Sequence, residues 1–153
     1  RTGNAPLEEL MVSLHVLYGY ETPYVLSKLP ELGELVRRIS RADFAVNKPV
    51  LGERNFTRES GTGVDLVIKE PLAMFGTHPA LTGRSGEIVL GKKSGKASIT
   101  FKLEEMGIAG TGDAAVAEML RLVKEKGIEK CGLVTPAEFK QIVHGVLDKG
   151  DIA

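Results

Sequence analysis

Tryptophan is absent from this 153-residue chain, aromatic residues make up 5% of it, and Cys131 is its one cysteine. A lone thiol excludes a disulfide framework and a multi-cysteine zinc site within the chain. With so few aromatics, the core must rest on Leu, Val and Ile. Neither sign of charge prevails: Lys plus Arg number 20, Asp plus Glu number 20, and the formal net charge is zero. That balance excludes a general binder of nucleic acid or of anionic membranes, which carries a basic excess. No apolar run approaches the ~20 residues of a membrane span. The first residues carry no secretory hydrophobic region and no initiator methionine. The chain therefore reads as part of a longer polypeptide whose expected home is the reducing cytoplasm. It is too short for a complete (β/α)₈ barrel, which needs ~250 residues, but long enough for one domain or two small ones.

What is present is ordinary globular material, 42% hydrophobic and 26% charged, and its periodicity is mostly helical. Leu7, Leu10, Met11, Leu14, Leu17 and Tyr18 recur at offsets of three and four, which predicts a helix with that stripe along one face. Asn4 is a suitable N-cap, Pro6 is tolerated in a first turn, and Gly19 suits the stop. A second helix is expected over 31–40, with Leu32, Leu35, Val36 and Ile39 as its stripe. Residues 45–54 read as an extended linker, because Lys48 precedes Pro49 and is pushed out of the α region. Residues 59–63 are a loop or a weak helix with costly glycines, and 64–68 suit strand or helix. A short strand is plausible over 87–90. Further helices are expected over 98–106, ending at Gly107, and over 113–126, with Gly127 just past the end. Thr135-Pro136-Ala137-Glu138 is a capping box opening one more. The last three helices suggest a compact three-helix unit.

Chemistry is faint in the residues alone. His15 and His144 sit within helical patterns, His78 precedes Pro79 in a loop, and no two histidines have metal-ligand spacing. Residues 86–93 nearly match a nucleotide-binding Gly-rich loop, but Lys93 stands where Ser or Thr is required and the middle suits a strand. Lys92, Lys93, Ser94, Gly95 and Lys96 form a basic turn before a helix, which can hold an anion or be a solvated helix entry. Cys131 lacks an activating partner. Glu53 and Glu59 flank Arg54 and Arg58 as expected surface ion pairs.

Several separate motifs, in order, carry a resemblance. Gly3-Asn4-Ala5-Pro6-Leu7-Glu8-Glu9 resembles the Gly-Asn-Ala-x-Leu-Glu-Glu signature of the 2-isopropylmalate synthase and homocitrate synthase family. Asn47-Lys48-Pro49-Val50-Leu51-Gly52-Glu53 is similar to its Asn-Lys-Pro-Ile-Val-Gly-Glu. Glu59-Ser60-Gly61 resembles the start of its Glu-Ser-Gly-Ile-His segment. Lys69-Glu70-Pro71-Leu72, Pro79-Ala80-Leu81-Thr82-Gly83-Arg84 and the run from Ile88 to Lys96 match three further motifs. The resemblance covers nearly the whole chain.

That resemblance implies a mainly α fold with minor β: the last helix of a TIM barrel (1–19), a subdomain I of helices, linker and short strands (20–91), and a small helical subdomain II (92–153). No leucine-sensing domain is expected after it. The resemblance implies condensation of acetyl-CoA or another acyl-CoA with a 2-oxo acid, a Claisen-type acyl transfer in amino-acid biosynthesis. It implies a divalent metal (Mg, Mn or Zn), held mainly by the barrel that this chain lacks, which polarises the oxo group. It also implies a homodimer whose subdomain I crosses to the partner, with no nucleic acid and no membrane involved. By position Asn4 corresponds to an asparagine at the metal. Glu59, Ser60 and His78 are the catalytic candidates, and Lys92, Ser94 and Lys96 are candidates for an anionic group such as the CoA phosphates. One departure stands out: the family's catalytic histidine corresponds to Gly63, which has no side chain to move a proton. The chain by itself is expected to be inactive, with Leu10, Leu14 and Leu17 exposed and prone to association. The competing expectation is a non-catalytic module for dimerisation or regulation.

Overall fold

The structure, a computed structural model, describes residues 3–150. Arg1, Thr2 and residues 151–153, the outermost ends of the expected first and last segments, lie outside the described residues. The fold is mainly helical with a minor sheet, as expected. Its elements are α1 (Leu7–Tyr18), α2 (Leu29–Ser40), β1 (Thr57–Arg58), α3 (Val64–Lys69), β2 (Glu87–Ile88), α4 (Lys96–Glu105), α5 (Asp113–Glu129) and α6 (Pro136–Gly150). Among the described residues, no helix is long and apolar enough to cross a membrane. The chain forms two compact units that interleave in sequence: residues up to 57 with 70–86, and residues 58–69 with those from 87 onward.

In the first unit, Val12, Leu26, Leu29 and Leu51 are buried together, with Met11, Phe44, Val50 and Leu81 packed on them. Both helical stripes are largely exposed, as the resemblance implies for Leu10, Leu14 and Leu17 of α1. Leu7, Leu10, Leu14 and Leu17 of α1 are exposed, and so are Leu32, Leu35, Val36 and Ile39 of α2. Burial falls instead on Val12 of α1 and on Leu29 and Gly33 of α2. Gly33 lets Leu51 pack close: a Cβ there would stand 2.9 Å from both of its methyls and would oblige that side chain to shift. Periodicity says that a face needs a partner, but not that the partner lies in the same unit.

Asn4 does not cap α1. The helix opens at Leu7 with Pro6 as its N-cap and no side-chain cap bond, so Asn4 lies too early to reach the first free N–H groups. Gly19 does close the helix, in the left-handed region at φ 64°. The 45–54 segment is not extended. It folds into consecutive tight turns, in which Lys48 N–H donates to Ala45 O (2.9 Å), Gly52 N–H to Lys48 O (2.8 Å) and Arg54 N–H to Val46 O (2.9 Å). Pro49 restrains only its own φ and the residue before it, which turns accommodate as well as strands do.

The second unit is built on α4, α5 and α6. Leu90, Ile99, Leu103, Val116, Met119, Val123, Val134, Phe139 and Val143 form one buried cluster between them. β1 and β2 pair, Val89 N–H reaches Arg58 O at 2.9 Å, and Leu90 bridges antiparallel to Val134. The ambiguous 64–68 segment is helical, as α3, with Val64 and Val67 buried three residues apart. Gly107 ends α4 at φ 73°, as expected. Gly127, however, does not end α5, which runs on to Glu129. Its missing side chain serves packing: a Cβ would stand 2.9 Å from Lys92 N and 3.2 Å from Gly91 Cα.

The capping box of α6 forms as the sequence predicts. Thr135 N–H donates to Glu138 Oε2 (2.7 Å), and Glu138 N–H returns to Thr135 Oγ1 (3.3 Å). Lys130 Nζ donates to the same Oε2 at 2.8 Å. The Lys130 ammonium first, and the Thr135 N–H second, hold the Glu138 carboxyl down at about 2, against an ordinary 4.5. A depressed folded pKa stabilises the fold above the unfolded pKa, and that stability is lost as pH falls through the folded one. The cap should therefore act fully above pH 4.5 and fade toward pH 2. Solvent screening keeps its amplitude modest. Glu138→Gln should flatten this part of the acid limb in a plot of Tm against pH, and leave the limb above pH 6 parallel to wild type.

Candidate functional site

The residues singled out from the sequence divide between the units. Asn4 and His78 belong to the first, and Glu59, Ser60, Lys92, Ser94 and Lys96 to the second. Each group has its own geometry.

In the second unit, two motifs 34 residues apart lie backbone against backbone. The loop 59–63 rests on the turn 91–95, and the approach is possible because the residue on each side of it is glycine. A Cβ on Gly61 would stand 2.4 Å from Gly95 Cα. Glu59 Oε1 accepts the Lys93 N–H at 2.8 Å, and a Cβ on Gly91 would stand 2.6 Å from that same oxygen. The turn is closed from inside by Ser94, whose buried Oγ accepts Gly91 N–H at 3.0 Å while its own N–H donates to Gly91 O at 3.1 Å. Ser94 is thus occupied in the turn and faces away from solvent. Lys92, Lys93 and Lys96 surround the start of α4, where the helix dipole adds to their positive field. Ser60 is half-buried, and its Oγ accepts Thr62 N–H at 3.3 Å.

The expected ion pairs among Glu53, Arg54, Arg58 and Glu59 do not form among the described residues. The Arg58 guanidinium donates to Thr62 O at 3.1 and 3.3 Å instead, and Glu59 is taken by Lys93. Gly63 has φ 80°, a left-handed conformation at the entry to α3, where Val67 N–H donates to Gly63 O at 3.1 Å.

In the first unit, the charges of two motifs hold one another, and a third motif grips the backbone of one of them. Lys48 Nζ lies 2.6 Å from both Glu8 Oε1 and Glu9 Oε1. Burial pulls the Lys48 ammonium down, but the hydrogen bond it donates to Glu9 and its pairing with the charges of both carboxylates outweigh that, and the net shift is upward. Arg84 donates to Gly52 O (2.5 Å) and Leu51 O (2.8 Å), so it grips the turns that carry Lys48. Burial lowers the Arg84 pKa, and the charge of Glu53 opposes that. Asn4 stands exposed at a cleft of about 420 Å³ that Glu8, Leu29, Phe44 and Lys48 also line. The His78 ring is exposed, and its Nδ1 accepts Ala80 N–H at 3.2 Å, capping the short turn Pro79–Thr82. Sequence reasoning alone does not find the Lys48 and Arg84 clamps. Their only signal there is a set of charged residues inside motifs.

The Lys48 clamp has a measurable consequence. Lys48→Met should leave two carboxylates crowded together and lower first-unit stability by about 1–2 kcal/mol. Adding Glu8→Gln should recover part of the loss in urea denaturation, because the residual repulsion then disappears.

Among the described residues, no three of His, Cys, Asp and Glu gather closely enough to hold a metal ion. Asn4 offers a single amide oxygen, so these residues do not make a metal centre by themselves.

No family model matches the chain. Curated relatives do match it over nearly its whole length. It is 39% identical over 148 residues to a homocitrate synthase of Methanothermobacter thermautotrophicus, covering 95% of this chain and 37% of that protein. It is 40% identical over 149 residues to a homocitrate synthase of Methanocaldococcus jannaschii, covering 97% and 36%. It is 34% identical over 149 residues to the (R)-citramalate synthase of the same organism, covering 97% and 30%. The chain therefore spans about a third of the length of the curated relatives it matches.

Proposed function

The chain belongs to the 2-isopropylmalate/homocitrate synthase family, and from that premise we propose that it is the C-terminal region of an enzyme condensing an acyl-CoA, acetyl-CoA first among them, with a 2-oxo acid. The observation that carries this reading is identity to such synthases over 95% or more of the chain. The internal use of the shared motifs supports it: Lys48 with Glu8 and Glu9, Arg84 with Leu51 and Gly52, and Glu59 with Lys93. In the reaction, a base removes a proton from the carbon beside the thioester, the carbanion adds to the oxo carbon, and water releases the CoA thiol.

In this reading α1 is the last helix of a barrel contributed by the rest of a longer protein, and its exposed leucines are covered there. Asn4, exposed beside its cleft, presents an amide oxygen toward the reaction centre. Lys92 and Lys96 draw in the CoA phosphates. Ser60 faces the substrate from a subunit partner, so the working enzyme is a homodimer and the isolated chain is inactive. A divalent metal would take its ligands chiefly from outside this chain. Among the described residues, no three of His, Cys, Asp and Glu assemble a metal centre.

Gly63 favours a second reading, in which the region is an interaction module without chemistry of its own. The position that carries the family's proton-transferring histidine has no side chain here. Its φ of 80° also disfavours restoring one, since a β-carbon is strained in that region.

The test is release of free CoA thiol from acetyl-CoA by the full-length protein, with Mg²⁺ or Mn²⁺ and a panel of 2-oxo acids. Turnover with one acid identifies the substrate. Silence across the panel by folded, metal-loaded protein supports the module. Asn4→Ala should weaken metal-dependent turnover at least tenfold; unchanged metal dependence removes Asn4 from the site.

A further inference from the structure

We infer that Glu59 is a positioning residue, one that locks the loop 59–63 onto the turn 91–95, and not the group that moves the proton. This deepens the proposed condensation and rests on it for the meaning of the two loops. Three observations carry the inference. One oxygen of the Glu59 carboxylate is already engaged, Oε1 accepting the Lys93 N–H at 2.8 Å over the bare face of Gly91. A base must instead present its oxygen to the substrate proton. The bond also ties together two backbones that touch at Gly61 and Gly95, where a Cβ would stand 2.4 Å from backbone. Finally, the turn it grips is seated on α5, with Lys92 N 2.9 Å from a Cβ placed on Gly127.

Glu59 thus sets the height and tilt of two elements at once. On one side is the loop through Ser60 to Gly63, where the family's histidine would stand. On the other is the turn that carries Lys92, Lys93 and Lys96. Precise placement of such elements is worth a great deal: a misplacement of about 1 Å can lower a rate ~100-fold.

The test uses the full-length protein with Glu59→Gln and Glu59→Ala. Glutamine keeps an acceptor oxygen in place but cannot act as a base, whereas alanine removes the bond. Amide hydrogen exchange at Lys93 should be close to wild type in Glu59→Gln and at least tenfold faster in Glu59→Ala. Turnover of acetyl-CoA with the 2-oxo acid should fall about threefold in Glu59→Gln, with the limbs of its pH profile unmoved. In Glu59→Ala it should fall about 10- to 100-fold. Two results overturn the assignment. One is loss of turnover in Glu59→Gln as complete as in Glu59→Ala while Lys93 stays protected, which makes the carboxylate the base. The other is unchanged Lys93 protection in Glu59→Ala, which shows that the bond does not hold the turn. If Glu59→Ala does not fold, Glu59→Gln decides by the first criterion. If the wild-type protein turns over no acid at all, the reaction assignment fails while the exchange experiment still decides the lock.

Discussion

Gly61→Ala should destabilise the second unit by about 2–3 kcal/mol, near the upper end of what a small overpacking substitution does. The added methyl would stand 2.4 Å from Gly95 Cα, 2.7 Å from Gly95 N and 3.3 Å from Gly95 C. All three atoms are backbone, so no rotamer change relieves the contact. The turn behind them cannot retreat cheaply either, because Ser94 closes it and α5 supports it at Gly127. Gly145→Ala is the control. Gly145 lies on the exposed face of α6, and a methyl placed on it would meet nothing within 4 Å. Alanine there should raise stability by up to ~1 kcal/mol through helix propensity alone. Chemical denaturation of both variants measures the difference. Similar midpoints for the two would mean that the Gly61–Gly95 contact is not part of the fold.

Met119→Ala should have the largest effect on stability, a loss of about 2–5 kcal/mol. Met119 is 0% exposed and belongs to the cluster that α4, α5 and α6 share, with Ile99, Leu103, Val123, Phe139 and Val143. A chain with 5% aromatics has few large side chains with which to fill the hole. The unbranched methionine fits an irregular gap between helices, and truncating it removes dispersion contacts as well as buried apolar area. Leu17→Ala is the contrast, since Leu17 is 73% exposed and should change the isolated chain's stability by less than ~0.5 kcal/mol. A loss below ~1 kcal/mol for Met119→Ala would show that the three helices do not share a close-packed core.

These two sites also show what can be read from the sequence. Met119 sits in a 3.6-residue pattern with Val116 and Val123, so its burial is legible. So are the Thr135–Glu138 box and the left-handed glycines 19 and 107, since caps depend on neighbours a few residues away. Gly61 and Gly127 are not legible in their real roles. A glycine used for close approach and a glycine used as a stop look alike until the approaching backbone is known, and here that backbone lies at residue 95 for Gly61 and at residues 91 and 92 for Gly127. The turns of 45–54 read as extended when Pro49 is weighed without Arg84, whose two bonds to Leu51 and Gly52 hold them.

The candidate site follows the same division. Its residue types are visible, and the family motifs locate them by order along the chain. Their partners are not visible, because nothing local in Lys48 announces Glu8 and Glu9, and nothing in Glu59 announces the Lys93 amide. The exposed stripes of α1 and α2 carry a related lesson. Leu7, Leu10, Leu14 and Leu17 keep a helical apolar period, yet they face solvent in this chain. In the proposed enzyme the rest of a longer protein covers the α1 face.

The most direct test of the central claim is the fate of labelled carbon. The full-length protein would be given doubly ¹³C-labelled acetyl-CoA and the 2-oxo acid that releases most thiol, and the products followed by NMR. Both labelled carbons should appear in a new carboxymethyl arm on a tertiary alcohol carbon, one product per thiol released. Labelled acetate accumulating in step with the thiol, with no new carbon–carbon bond, would mean thioester hydrolysis alone and would contradict it.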